Sequence, residues 1–249
     1  MKAARFYALV WLIASWFLPA CMKEDPWQDR LPGNGDFSAG VLVVHEGNFG
    51  YGNASLSHYD PATGLLVNDV FFKRNGLPLG DVAQSVTVDD SLIYAVMNNS
   101  GKIMVMDRTD FRFVGKITGL TSPRYLHLIN GEKAYVSDLY ARSLAIVDPR
   151  TLDVTGRIDL AVEGSALPRH ATEQMVQADR FVYVNCWSYD DQILIIDSES
   201  DRLVDSVRVG IQPNSMVLDR WNTLWVLCDG GFEGNAFGHG LPGLYRLEA

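Results

Sequence analysis

Beyond residue 37 the chain lacks any stretch that keeps a three-to-four-residue apolar period over about 11 residues, and glycine and proline punctuate it throughout. A helical fold is excluded on that ground. Basic residues are few, 21 Lys and Arg against 30 Asp and Glu for a net charge of -9, and they do not cluster. A nucleic-acid partner, held through phosphates by clustered Lys and Arg, does not fit. The sequence also lacks a Gly-x-Ser-x-Gly elbow, a His-Glu-x-x-His pair and a phosphate loop, and the glycines at 47, 50 and 52 have no following helix to complete a dinucleotide site. The five histidines, at 45, 58, 127, 170 and 239, are scattered, with His58 and His127 inside strand-like runs where packing is their natural role. No catalytic constellation emerges, and the chain reads as a non-enzyme.

Long apolar runs are absent too. The single candidate, residues 6–17, follows a positive head at Lys2 and Arg5 and is too short to span a bilayer. It precedes Leu18-Pro19-Ala20-Cys21, so residues 1–20 read as a secretory leader. The Leu-Pro-Ala-Cys ending resembles a bacterial lipobox, which makes Cys21 the expected lipidated first residue of the mature protein. Lys23-Glu24-Asp25 resembles the tag that sends Bacteroidetes lipoproteins to the outer face of the outer membrane. Residues 21–37, with Pro26, Pro32, Gly33 and Gly35 and no apolar period, form the expected lipidated tether. The folded domain is expected over residues 38–249.

Within that domain the clearest unit is EKAYVSDLYARSLAIVDPRTLDVTGRIDL, residues 132–160. It holds three short runs with period-two alternation, each ending in a turn signal, as half-buried antiparallel strands do. Asp148-Pro149-Arg150-Thr151 supplies one turn, with Pro presetting φ and the Asp carboxylate accepting backbone N–H groups beyond it. The unit recurs. Asp60, Asp107, Asp148 and Asp197 each close an apolar strand (SLSHYD, KIMVMD, SLAIVD, ILIID), at separations of 47, 41 and 49 residues. Ahead of them stand Tyr94, Tyr135, Tyr183 and Trp225 at one matched place, and further ahead an inner strand in each unit from the second on. Four strands per unit at about 40 to 50 residues predict an all-β fold, a β-propeller of four-stranded blades. In the first unit residues 41–46 are already a second strand, followed by strands over 54–59 and 66–72. The last unit stops after 243–247. The chain is therefore expected to cover about four to five blades and to be truncated from a seven-bladed ring, which needs about 300 residues; a five-bladed ring is the alternative. Cys186 and Cys228 occupy equivalent places in neighbouring units, too far apart for the roughly 5.5 Å of a bridge, and are expected as buried thiols.

The units AYVSDLYARSLAIVDPRTLDV and VYVNCWSYDDQILIIDSESDRLV resemble the Tyr-Val-Thr-Asn propeller repeat of the YncE-like family. More narrowly, VLVVHEGNFGYGNASLSHYDPATG, NGLPLGDVAQSV and PNSMVLDRWNTLWVLCDGG resemble Bacteroidetes surface lipoproteins, some of which capture vitamin B12 and pass it to a TonB-dependent transporter. His45 stands where that pattern usually has Asn. The resemblance implies a cobamide ligand, a TonB-dependent transporter as partner, no cofactor, and a lipid-anchored position on the extracellular face of the cell outer membrane.

In a four-stranded blade the loops joining strands two and three share one face of the disc with the approaches to the inner strands. On this loop face the candidate ligand-binding residues are His45, Asn48, Phe49, Tyr51, Asn53, Asn98, Asn99, Arg124, Tyr125, Tyr140, His170, Trp187, Tyr189, Asn214 and Asp229. Aromatic rings interleaved with amides suit a large, flat, partly apolar ligand edged with amide and phosphate groups, as a corrinoid is. Two other readings stand beside it. One is a scaffold for another surface protein or a glycan. The other is a propeller lactonase, in which Glu46, Asp81, Glu173 and Asn214 would converge on a hard cation such as Ca²⁺ in the central channel.

Overall fold

The computed structural model describes Phe37 and residues 39–167 and 169–248. The leader, Cys21 and the tether lie outside the described residues. Five antiparallel sheets follow one another along the chain. Blade 1 holds β1 (Val41–His45), β2 (Ser55–Asp60) and β3 (Leu65–Val67), and is followed by a single helix, α1 (Val70–Asn75). Blade 2 holds β4 (Ala83–Val88), β5 (Leu92–Met97), β6 (Lys102–Asp107) and β7 (Phe113–Ile117). Blade 3 holds β8 (Pro123–Asn130), β9 (Lys133–Asp138), β10 (Ser143–Asp148) and β11 (Asp153–Asp159). Blade 4 holds β12 (Ala171–Ala178), β13 (Phe181–Ser188), β14 (Gln192–Asp197) and β15 (Arg202–Arg208). Blade 5 holds β16 (Pro213–Leu218), β17 (Thr223–Cys228) and β18 (Gly243–Glu248). The fold is a partial β-propeller. β18 pairs with β17 and β1 with β2, and among the described residues no strand pairing joins the fifth blade to the first.

One expected element is different. Residues 66–72, read as a strand, are a three-residue strand followed by α1. Six residues are too few to display a helical period, and the burial of Val70 and Phe71 against blade 1 decides the conformation. Asn75 at the end of α1 then ties blade 1 to blade 2: its amide donates to the Phe71 and Phe111 carbonyls, and its oxygen accepts the Phe113 N–H.

The second strands read as unbroken apolar runs because both of their faces are covered. In β5, Ile93, Ala95 and Met97 enter the core between blades 1 and 2, while Tyr94 and Val96 enter the one between blades 2 and 3. In β9, Ala134 and Val136 face back and Tyr135 faces forward. In β13, Val182, Val184 and Cys186 face back and Tyr183 faces forward. Leu224, Val226 and Cys228 of β17 repeat the backward face, but Trp225 is only half-buried and Leu227 is exposed. The matched aromatic is thus the residue each blade offers to the next. Cys186 and Cys228 are buried free thiols in successive interfaces, and burial pushes the Cys228 thiol up to about 11.

The repeated Asp does what its chemistry suggests. Asp60, Asp107, Asp148 and Asp197 each accept, through Oδ1, the N–H two residues on. Each backbone carbonyl accepts the N–H four residues on, from Gly64, Phe111, Leu152 and Asp201. Those fifth residues all have positive φ, between 55° and 70°. Glycine takes that conformation freely; Phe, Leu and Asp adopt it at a cost of about 1 kcal/mol or more. The cost is offset because the fifth residue reaches the preceding blade. Phe111 packs into the core of blades 1 and 2, Leu152 lies within that of blades 2 and 3 over Gly115, and Asp201 accepts hydrogen bonds from Lys133 and Tyr135 of blade 3.

Candidate functional site

Inner strands β4, β8, β12 and β16 lie side by side toward the axis and are joined by side chains. Ser85 and Thr87 of β4 donate to the Arg124 and Leu126 carbonyls of β8. Arg124 Nε donates to both oxygens of Glu173 on β12 at 2.7 and 2.9 Å, and the Gln174 oxygen accepts the Met216 N–H of β16 at 2.7 Å. Glu173 is buried, which raises its carboxyl pKa, with Arg124 opposing the rise. Removing one partner of such a pair leaves an uncompensated buried charge, so these residues hold the axis together.

Above the inner strands, the loop after β1 is held to blade 2. Asn48 N–H donates to Asn53 Oδ1, Gly50 N–H to Asp81 Oδ2 at 2.9 Å, and the Asn99 amide to the same oxygen at 2.6 Å. The Asn99 amide, followed by the N–H groups of Gly50 and Gly52, keeps the Asp81 carboxyl below the ordinary value of 3.8 against a smaller opposing effect of desolvation. Because the folded value is depressed, the ionised form's contribution is complete above 3.8 and is lost as pH falls through the lower folded value. We expect the amide protection factors of residues 47–53, taken relative to the intrinsic exchange rate at each pH, to be steady from neutral pH down to about 4 and to fall below it. Asp81→Asn should abolish the pH dependence; a loop that loosens equally in that variant would rule out this carboxylate as the cause.

The result is a rim of exposed rings. Phe49 is 76% exposed, Tyr51 79%, Tyr140 69% and Phe232 59%. Asn48, Asn53 and Asn99 stand exposed beside the first two. Between blades 4 and 5, Asp229 Oδ2 accepts from Trp187 Nε1 at 3.2 Å and from Asn214 Nδ2 at 3.5 Å, while Oδ1 takes the Gly231 N–H. Tyr189 holds positive φ next to this cluster in sequence.

Other residues read from the sequence are committed elsewhere. Asn98 donates to Ser122 Oγ and the Pro123 carbonyl, a latch onto blade 3 that Asn185 repeats onto Pro213 of blade 5. Arg124 is held by Glu173, and Tyr125 packs against the core of blades 3 and 4. His170 is buried with positive φ, its Nδ1 donating to the Leu160 carbonyl and its N–H to Asp190, whose carboxylate also pairs with Arg169. His45 is exposed at the end of β1 and its Nε2 meets Ser57 Oγ at 2.7 Å. The convergence of Glu46, Asp81 and Glu173 that the alternative lactonase reading requires is not seen among the described residues. Among the described residues no three His, Cys, Asp or Glu side chains gather to hold a metal ion, and Glu173 is turned to Arg124.

Residues 39–230 match the family described as Domain of unknown function (DUF5074). The chain belongs to the DUF5074 family. No curated protein matches it. Among solved structures, hydrazine synthase from Kuenenia stuttgartiensis aligns with this DUF5074 chain at a TM-score of 0.55 and 15% identity, over 67% of this chain and 46% of that one. A chain of the mitotic checkpoint complex aligns at 0.56 and 14% identity, over 74% and 53%. The computationally designed Ika8 protein aligns at 0.54 and 10% identity, over 83% and 55%. At such identities the likeness is one of fold, a propeller, and the DUF5074 chain spans about half the length of these solved chains.

Sequence reasoning missed Phe232, though it placed Asp229, three residues ahead of it, on this face. Positive φ at Gly230, Gly231 and Gly234 carries the chain out from blade 5. A ring between Gly231 and Gly234 has little around it to pack on, which was the available signal.

Proposed function

We propose that this DUF5074 protein is a non-catalytic binding lipoprotein, anchored through Cys21 on the outer face of the outer membrane, whose loop face captures a cobamide for a TonB-dependent transporter. The observation that carries the reading is the concentration of solvent-exposed rings, Phe49, Tyr51, Tyr140 and Phe232, on one face of the disc. Rings set beside Asn48, Asn53, Asn99 and Asn214 offer apolar area at low entropic cost, together with donors and acceptors for a ligand fringed with amides. The HEGNFGYGN stretch supports the reading by its resemblance to the vitamin-capturing lipoproteins, and so does the lipobox.

Calorimetry of the full-length protein with micromolar cyanocobalamin is the test. Binding should give heat and a change in the visible spectrum, and Tyr51→Ala or Trp187→Ala should each weaken it by about 1 to 4 kcal/mol. Neither heat nor spectral change would overturn the cobamide reading in favour of a scaffold for another surface protein or a glycan. Cys21→Ala should release the protein from membranes.

A further inference from the structure

The opposite face of the disc carries the short turns, and at the junctions of blades 2 and 3 and of blades 3 and 4 they bound a notch. Its walls are the turn joining the first two strands of one blade, that blade's forward-facing aromatic, and the Asp turn of the next blade. At the junction of blades 3 and 4 the protein fills the notch itself. Lys133 extends into it, its Nζ donating to the Ser198 carbonyl at 2.6 Å and to Asp201 Oδ1 at 2.9 Å, while the Tyr135 hydroxyl donates to the same carboxylate.

At the junction of blades 2 and 3 the equivalent residues differ. Leu92 stands in the place of Lys133, two residues before the aromatic, and Leu152 stands in the place of Asp201; both turn into the apolar core. The notch is left as a cavity of about 460 Å³ bounded by Leu92, Tyr94 and Leu128, the Asp89 to Ser91 turn, Asn130, Gly131, Pro149 and Arg150. Its floor is apolar and its charges are unequal. Arg150 is neutralised by Asp148 and Glu132. Asp89 uses Oδ1 to accept the Ser91 and Leu92 N–H groups, and its carboxylate faces the buried Tyr94 hydroxyl. Asp90 is exposed on the rim with no ion-pair partner among the described residues. Arg108 donates to the Asp89 backbone carbonyl at 3.1 Å.

We propose that this notch binds a primary alkylammonium group, with a carbon chain about as long as that of lysine lying over Leu92, Leu128 and Tyr94 and the ammonium at the Asp89–Asp90 rim. The Pro149 carbonyl would stand to it as the Ser198 carbonyl stands to Lys133. The ligand completes in the second junction what Lys133 completes in the third, and the site is independent of any cobamide on the loop face.

The test is a titration of the whole protein followed by the methyl signals of Leu92 and the ring signals of Tyr94. n-Pentylamine should bind about ten-fold more tightly than n-pentanol, the difference expected of one charge-assisted hydrogen bond. Nα-Acetyl-lysine methylamide in parallel separates a lysine side chain from a free amine by which of the two binds more tightly. Leu92→Lys, which supplies the ammonium internally, should remove the response, and Asp90→Asn should weaken n-pentylamine about three-fold without altering n-pentanol. Equal affinity for the alcohol, or undiminished n-pentylamine binding in the Leu92→Lys protein, overturns the proposal. Should that variant not fold, Asp90→Asn decides alone, because Asp90 is exposed and unchanged amine binding there is equally fatal.

Discussion

Phe111→Ala should destabilise the protein by about 3 to 5 kcal/mol, the range for removing a fully buried phenylalanine. Phe111 is 1% exposed and sits edge-on to Phe37 with ring centroids 4.6 Å apart, with His58 at 6.0 Å. It is also the fifth residue of the Asp107 turn, with φ of 58°. Alanine deletes the ring and keeps the left-handed strain; glycine deletes the ring and relieves it. Phe111→Gly should therefore be the more stable of the two by about 1 kcal/mol, although glycine is ordinarily the poorer replacement. Urea denaturation of both variants checks the order. If glycine is worse, the ring is not being held in a strained conformation by its packing.

Asp138→Ala should cost about 3 kcal/mol or more, from backbone donors left without an acceptor at a buried site. The Asp138 carboxylate is nearly inaccessible and accepts four N–H groups. Oδ2 takes Thr121 and Ser122 ahead of β8, and Oδ1 takes Tyr140 and Ala141 in the loop beyond β9. One side chain thus sets both the approach to an inner strand and the base of the loop that carries Tyr140. Asp138→Asn should not restore the stability, since the amide NH₂ would confront donors on one side or the other. Asp148, half-buried in a surface turn with its carboxylate held down to about 2 chiefly by Arg150, is the control; its alanine variant should lose much less, since its donors can turn to water. Equal losses at the two positions would mean that burial of the donors does not set the cost.

The Asp turns were legible because their chemistry is local: carboxylate and N–H lie two residues apart, so spacing alone reveals them. The forward-facing aromatic was legible as a repeat, though its role needed the neighbouring blade. What could not be read was commitment over distance. Arg124 and Glu173 are 49 residues apart and Arg169 and Asp190 are 21 apart, and each charge looks available until its partner is placed. His170 failed for the same reason, its imidazole being held by a carbonyl ten residues away. Phe111 and Leu152 were hidden differently, since no local preference puts a bulky side chain at positive φ and only tertiary packing does so.

The two-sided second strands have a kinetic corollary. Blades 2, 3 and 4 are each clamped by two apolar interfaces, whereas blades 1 and 5 have one each among the described residues. Opening an inner blade breaks two interfaces, and opening an outer one breaks one. Amide protection should therefore fall away on both sides of β9 and β10, so that the chain frays from its two outermost sheets and keeps its most slowly exchanging protons at the centre of the series.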